Sequence, residues 1–139
     1  MDLAEQRPSQ NRIRESTILV ADDDFAILSL VAELLRQHQF GVLTASNGAQ
    51  ALGHARNHGH KIDLLLTDLE MPDMNGVQLA AAIRQFLPNV AVVLMSGSSG
   101  IEAVASVSTF LRKPFNAQDL VETIARSLGD ALNPADAAS

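Results

Sequence analysis

The chain has 139 residues, 47% hydrophobic and 19% charged, enough apolar material for one packed domain with little room for a second. Lys and Arg number 10 against 16 Asp and Glu, and the formal net charge of −6 argues against a surface for nucleic acid. Cys is absent, which removes disulfides, thiolate metal sites and Cys nucleophiles together.

Residues 1–16 (MDLAEQRPSQNRIRES) are polar and mixed in charge, with no apolar stretch after the basic residues. They are expected to form a flexible N-terminal extension rather than a secretory signal, so the protein is expected in the cytoplasm. A strand is expected at Thr17–Ala21, then a helix over Phe25–His38, where Ile27, Leu28, Val31, Leu34 and Leu35 recur at three- and four-residue intervals. Further strands are predicted at Gly41–Ala45, Ile62–Thr67, Val90–Met95 and Ser108–Arg112. Between and after them come helices at Gly48–His58, Gly76–Phe86, Ser99–Val104 and Ala117–Leu128. Asn47, Asn75 and Asn116 stand where N-cap side chains belong, and Gly41 and Gly59 where a left-handed C-cap suits glycine. The domain is expected over 17–129, with a flexible C-terminal tail at 130–139, a short polar stretch containing Pro134. The apolar run Val90–Met95 falls far short of the roughly 18 residues of a membrane span.

Strict alternation of strand and helix implies a parallel sheet covered on both faces, as the third and fourth strands, apolar on both sides, require. Ligands of such sheets bind beyond the carboxyl ends of the strands. Asp22, Asp23 and Asp24 follow the first strand, Asp68 the third, Ser96 the fourth, and Lys113 and Pro114 the fifth. Carboxylates crowded at one edge repel one another unless a Lys or a hard cation shares the site, and Mg²⁺ accepts one or two carboxylates while leaving room for a phosphate oxygen.

TILVADDD, LLLTDLEMPDMNG, VVLMSGS and FLRKPF, in that order, resemble the response-regulator receiver domain of two-component signalling, from about Thr17 to Leu128. The resemblance implies a flavodoxin-like α/β fold, a (βα)5 three-layer sandwich with a parallel five-stranded sheet of order 2-1-3-4-5. It implies Asp68 as phosphoacceptor, forming an aspartyl phosphate in a phosphorelay. Mg²⁺ (or Mn²⁺) would be held by Asp23, Asp68 and the backbone carbonyl of Glu70, with Asp22 acting through a water. Lys113, Ser96 and the Gly97 N–H would contact the phosphoryl group. Ser96 and Phe110 would form the switch that alters the surface of the fourth helix, fifth strand and fifth helix, and the Lys113-Pro114 peptide would be cis. The implied partners are a histidine kinase or histidine phosphotransfer domain and an unidentified downstream protein. The domain would be a monomer or a weak phosphorylation-dependent dimer. It would catalyse only its own phosphotransfer and dephosphorylation, so it is not otherwise an enzyme.

Two positions depart from the common pattern. Ser96 and Phe110 stand where Thr and Tyr are frequent, and Phe lacks the hydroxyl that a Tyr adds to output coupling. The segment between Ser96 and Lys113 is shorter than usual and contains Gly100, so the fourth helix is expected to be short. Together with MSGSSG this resembles receivers of hybrid histidine kinases, and a free-standing receiver is the other form. About ten residues follow Leu128, too few for a DNA-binding output domain, so output through a partner is expected.

Competing readings are weaker. Asp22-x-Asp24 mimics the start of a haloacid-dehalogenase-type phosphohydrolase signature, but Ala26 replaces the Thr or Val and no cap domain fits the length. An EF-hand at Asp68–Leu79 fails because Leu79 replaces the bidentate Glu. His54, His58 and His60 have a spacing that suits zinc, although histidines at a solvated helix end also suit the dipole there. A phosphate-independent pseudo-receiver remains as an interaction module.

Overall fold

The computed structural model describes residues 16–97 and 109–132, with side chains up to residue 129. Within these spans run β1 (Thr17–Ala21), α1 (Phe25–Gln37), β2 (Gly41–Ala45), α2 (Gly48–His58), a 3₁₀ turn (Gly59–Lys61) and β3 (Ile62–Asp68). They are followed by α3 (Gly76–Arg84), β4 (Ala91–Ser96), β5 (Thr109–Arg112) and α4 (Ala117–Leu132). The expected fourth helix, Ser99–Val104, lies outside the described residues, as do residues 1–15 and 133–139.

The strands are all parallel and lie in the order β2-β1-β3-β4-β5. Alternate side chains sort the core into two layers, as the period of two requires. Ile18, Val20, Leu64, Leu66, Val93 and Met95 pack against Leu28, Val31 and Leu35 of α1 and Leu120, Ile124 and Leu128 of α4. Leu19, Ala21, Leu65, Val92 and Leu94 pack on the other side against Ala51 and Ala55 of α2 and Leu79, Ala80 and Ile83 of α3. Small residues let α2 approach the sheet closely, while fully burying a Leu or Ile is worth about 1.5–3 kcal/mol. One irregularity interrupts β3: Thr17 pairs with Ile62 and Ile18 with Leu64, so Asp63 is the extra residue of a bulge, and its Oδ2 accepts the Thr17 N–H at 2.9 Å.

Caps set the helix starts. Asn47 accepts the Gln50 N–H, Asn75 forms a reciprocal capping box with Gln78, and Asn116 accepts the Asp119 N–H. Neither glycine expected as a left-handed C-cap plays that part. Gly59 has φ −55° and opens the 3₁₀ turn, and α1 ends instead on Gln39 at φ 70°. Around it the Gln39 N–H reaches Arg36 O at 2.9 Å and the Phe40 N–H reaches Leu35 O at 3.1 Å, a Schellman closure. At Gly41 a Cβ would come 2.8 Å from Thr17 Oγ1, so a side chain there would require that hydroxyl to turn away. The third helix stops at Arg84 rather than Phe86, because Pro88 excludes Leu87 from helical backbone. At the other end, α4 runs to Leu132, into the segment expected as a flexible tail. The sequence holds no helix breaker before Pro134, and one glycine, Gly129, lowers helix stability without stopping it.

Candidate functional site

The chain leaves β1 and β3, neighbours in the sheet, toward opposite edges, which opens a crevice above their carboxyl ends. Asp22 follows β1, Asp68 ends β3, Ser96 ends β4 and Lys113 follows β5, so the strand ends bring all four to this crevice. Backbone bonds hold the rim: Asp22 N–H to Ala45 O at 3.1 Å, Leu69 N–H to Met95 O at 2.8 Å and Lys113 N–H to Ser96 O at 2.9 Å. The Lys113-Pro114 peptide is cis.

Lys113 Nζ lies 3.1 Å from Asp22 Oδ2 and 3.4 Å from Asp68 Oδ1. The Asp22 side chain is fully buried and both its oxygens are engaged, Oδ1 by the Asp24 N–H at 2.9 Å. Asp68 differs. Its contacts, with Lys113 and with the Glu70 N–H at 3.4 Å, fall on Oδ1, and Oδ2 has no hydrogen-bond partner among the described residues. Burial raises the Asp68 pKa above the usual carboxylate value and the charge of Asp22 adds to this, with Lys113 and the Glu70 N–H opposing. Burial would lower Lys113, but the hydrogen bond and charge of Asp22, joined by Asp68, outweigh it and hold the ammonium above its ordinary pKa.

Carboxylate oxygens of Asp22, Asp23 and Asp68 all lie within 4.8 Å of one another, with Asp23 exposed. One ammonium against this set leaves excess negative charge on hard oxygen donors, which suits a small divalent cation. The third aspartate of the run plays a different part. Asp24 caps α1, accepting the Ala26 and Ile27 N–H groups at 3.0 and 3.3 Å. That role was readable in the sequence, since Asp24 stands directly before the helical period of α1.

Ser96 is fully buried, and its hydroxyl donates to Glu70 Oε1 at 3.1 Å. Nothing in the sequence pattern signals this contact with the Glu70 side chain. Gly97 lies beside Lys113, with room for a Cβ 3.8 Å from Lys113 Cβ. Phe110 is half-buried on the α2 and α3 side of the sheet. In the β3–α3 loop, Asp73 has φ 71° and the Met74 N–H reaches Pro72 O at 2.7 Å, a tight three-residue turn. Gly76 closes this loop where a Cβ would lie 2.6 Å from Asp68 O, so only glycine lets the helix start so near the acidic centre.

The histidines do not converge on a metal. The His54 and His58 ring centroids are 6.0 Å apart and His54 Nε2 bonds Thr44 O at 2.9 Å. Among the described residues the acidic trio is the group with metal-holding geometry. No helix among them is long and apolar enough to cross a membrane.

Comparison with known proteins bears on the family and the fold. The family model described as the response regulator receiver domain matches residues 18–125. The transcriptional regulatory protein CpxR of Escherichia coli K12 is 37% identical over 111 residues, covering 77% of this chain and 47% of CpxR. The DNA-binding transcriptional regulator NtrC of Azospirillum brasilense is 35% identical over 125 residues, 86% of this chain and 26% of NtrC. The chain thus spans less than half the length of either relative. Among solved structures, the receiver domain of the hybrid histidine kinase CckA superposes with a TM-score of 0.72 at 34% identity, covering 81% of this chain and 99% of that one. A response regulator receiver domain protein from Clostridium thermocellum gives 0.73 at 30% identity, covering 89% and 99%.

Proposed function

We propose, for a chain that belongs to the response regulator receiver domain family, that Asp68 accepts a phosphoryl group from a histidine kinase or histidine phosphotransfer domain. The observation that carries this is the asymmetry between the two buried aspartates on Lys113. Asp22 has both oxygens engaged, whereas Asp68 keeps Oδ2 free among the described residues. The same asymmetry disfavours the phosphohydrolase alternative, which needs Asp22 as nucleophile.

In the proposed transfer, an Asp68 carboxylate oxygen attacks phosphorus, a P–O bond forms, and the donor's bond to phosphorus breaks with its electron pair leaving on the donor nitrogen or oxygen. Lys113 stabilises negative charge on the phosphoryl oxygens while staying paired with Asp22. The Ser96 hydroxyl and the Gly97 N–H would then bind the phosphoryl group. Asp23, Asp68 and the Glu70 carbonyl would hold Mg²⁺ or Mn²⁺, with Asp22 acting through a water, and the bound ion supplies charge neutralisation. Rearrangement of Ser96 and Phe110 would alter the surface beside β5 and α4, and the altered surface would be read by a protein partner in the cytoplasm. The sequence limits 1–16, 17–129 and 130–139 stand as the proposed extension, receiver and tail, with α4 carried to Leu132.

Incubation with acetyl phosphate and Mg²⁺ followed by intact mass measurement tests this. An adduct of about +80 Da, one phosphoryl group, is expected on the wild type and not on Asp68→Asn. No adduct on the wild type, or an unchanged adduct on Asp68→Asn, overturns it. The first of these outcomes is what a phosphate-independent pseudo-receiver would give.

A further inference from the structure

Glu70 lies two residues beyond Asp68, and its side chain takes no part in the Lys113 pairing. Instead its Oε1 accepts the Ser96 hydroxyl at 3.1 Å, across 26 positions of sequence. Ser96 is fully buried at the end of β4 and Glu70 is exposed in the β3–α3 loop. A hydroxyl owns one hydrogen. While that hydrogen is donated to the Glu70 carboxylate it is not available to a phosphoryl oxygen, and a carboxylate acceptor makes a stronger bond than a neutral one.

We propose that Glu70 is a positioning residue that holds the Ser96 hydroxyl in the unphosphorylated arrangement, so that breaking the Glu70–Ser96 hydrogen bond is a step in loading and switching the site. This rests on Asp68 being the phosphoacceptor. The Glu70 backbone is anchored independently, its N–H reaching Asp68 Oδ1 at 3.4 Å, so the side chain alone can swing away. Its exposure lets water solvate the released carboxylate at little cost. An incoming phosphoryl group is also an anion, and it competes with Glu70 for the same donor while repelling it. The gate therefore opens as the group it gates arrives.

A double-mutant cycle on initial rates of phosphoryl labelling by acetyl phosphate and Mg²⁺ tests this, using the wild type, Glu70→Ala, Ser96→Ala and the double variant. Glu70→Ala is expected to speed labelling about three- to tenfold, the scale of one net hydrogen bond, and to have a clearly smaller effect in the Ser96→Ala background, where only the charge of Glu70 is removed. Glu70→Gln, which keeps an acceptor oxygen, is expected to gain less than Glu70→Ala. If Ser96→Ala labels too slowly, the same cycle is read from the affinity for beryllofluoride, a phosphoryl mimic. Equal acceleration in both Ser96 backgrounds overturns the gate, because removing a negative charge near the site then suffices. Labelling insensitive to Glu70 also overturns it while leaving Asp68 as phosphoacceptor. No adduct on any of the four proteins overturns both.

Discussion

Lys113 Nζ reaches Asp22 Oδ2 at 3.1 Å, joining residues 91 positions apart at the ends of β5 and β1. Asp22 is fully buried, so this contact is its compensation for lost hydration, and the site is poised around one cation shared by two carboxylates.

Removing that cation strands a buried charge. Lys113→Ala is expected to cost about 2–4 kcal/mol in urea unfolding at neutral pH, somewhat below a fully buried pair because the lysine side chain is 20% exposed. The folded-state pKa of Lys113 is raised above 10.5, so its stabilisation is complete below 10.5 and is lost as pH rises through the folded value. Alkaline titration should therefore destabilise the wild type in that window, with this component missing from the variant.

Asp68 has the opposite sign. Burial and Asp22 raise its pKa above 3.8, so the ionised side chain opposes folding at neutral pH. Asp68→Asn is expected to raise the melting temperature at neutral pH by ~2–5 °C, the response of a domain of this size to about 1 kcal/mol. The gain should shrink as pH falls through the raised folded value and through 3.8, and be gone well below 3.8, where the wild-type carboxyl is neutral in both states. A pH series of melting curves checks this, and a gain constant with pH would contradict it.

Asp23 is exposed and joins the acidic trio without pairing to Lys113. Asp23→Ala is expected to change metal-free stability by no more than ~0.5 kcal/mol. Mg²⁺ should stabilise the wild type by about 2.7 kcal/mol at a hundredfold excess over Kd, and Asp23→Ala should lose most of that gain. Calorimetric scans with Mg²⁺ and with EDTA make the comparison.

Gly76 is fixed by the approach of its Cα to the Asp68 carbonyl, where a Cβ would lie at 2.6 Å. Gly76→Ala should gain helix propensity yet lose about 1–3 kcal/mol, because backbone rather than a side-chain tip must yield. Phosphoryl labelling should fall with it, since the displaced backbone belongs to Asp68. Unchanged stability would show that the loop gives way more easily than its contacts imply.

Most of the architecture was legible in the chain. The period of three and four in α1, the both-faced apolar runs of β3 and β4, and the Asn caps of α2, α3 and α4 arise from neighbours within a turn or a strand, so local pattern identifies them. Boundaries were less legible where distant or competing groups decided them. Gln39 rather than a glycine takes the left-handed position after α1, because both Schellman hydrogen bonds close there. The helix ending at Leu132 ran past its expected limit because composition alone does not stop a helix without a breaker.

The acidic site divides in the same way. Residue identity and spacing were enough to gather Asp22, Asp23, Asp68, Ser96 and Lys113 at one sheet edge, since each stands at a strand's carboxyl end. Three consecutive aspartates, however, look alike in a sequence. The cap could be read from the place of Asp24 directly before α1, but only the folded chain separates the other two into a buried partner of Lys113 and an exposed member of the acidic trio. It alone ties Glu70 to Ser96. Periodicity and caps depend on residues a few positions apart, whereas burial and ion pairing depend on which strands lie side by side, and no local pattern carries that order.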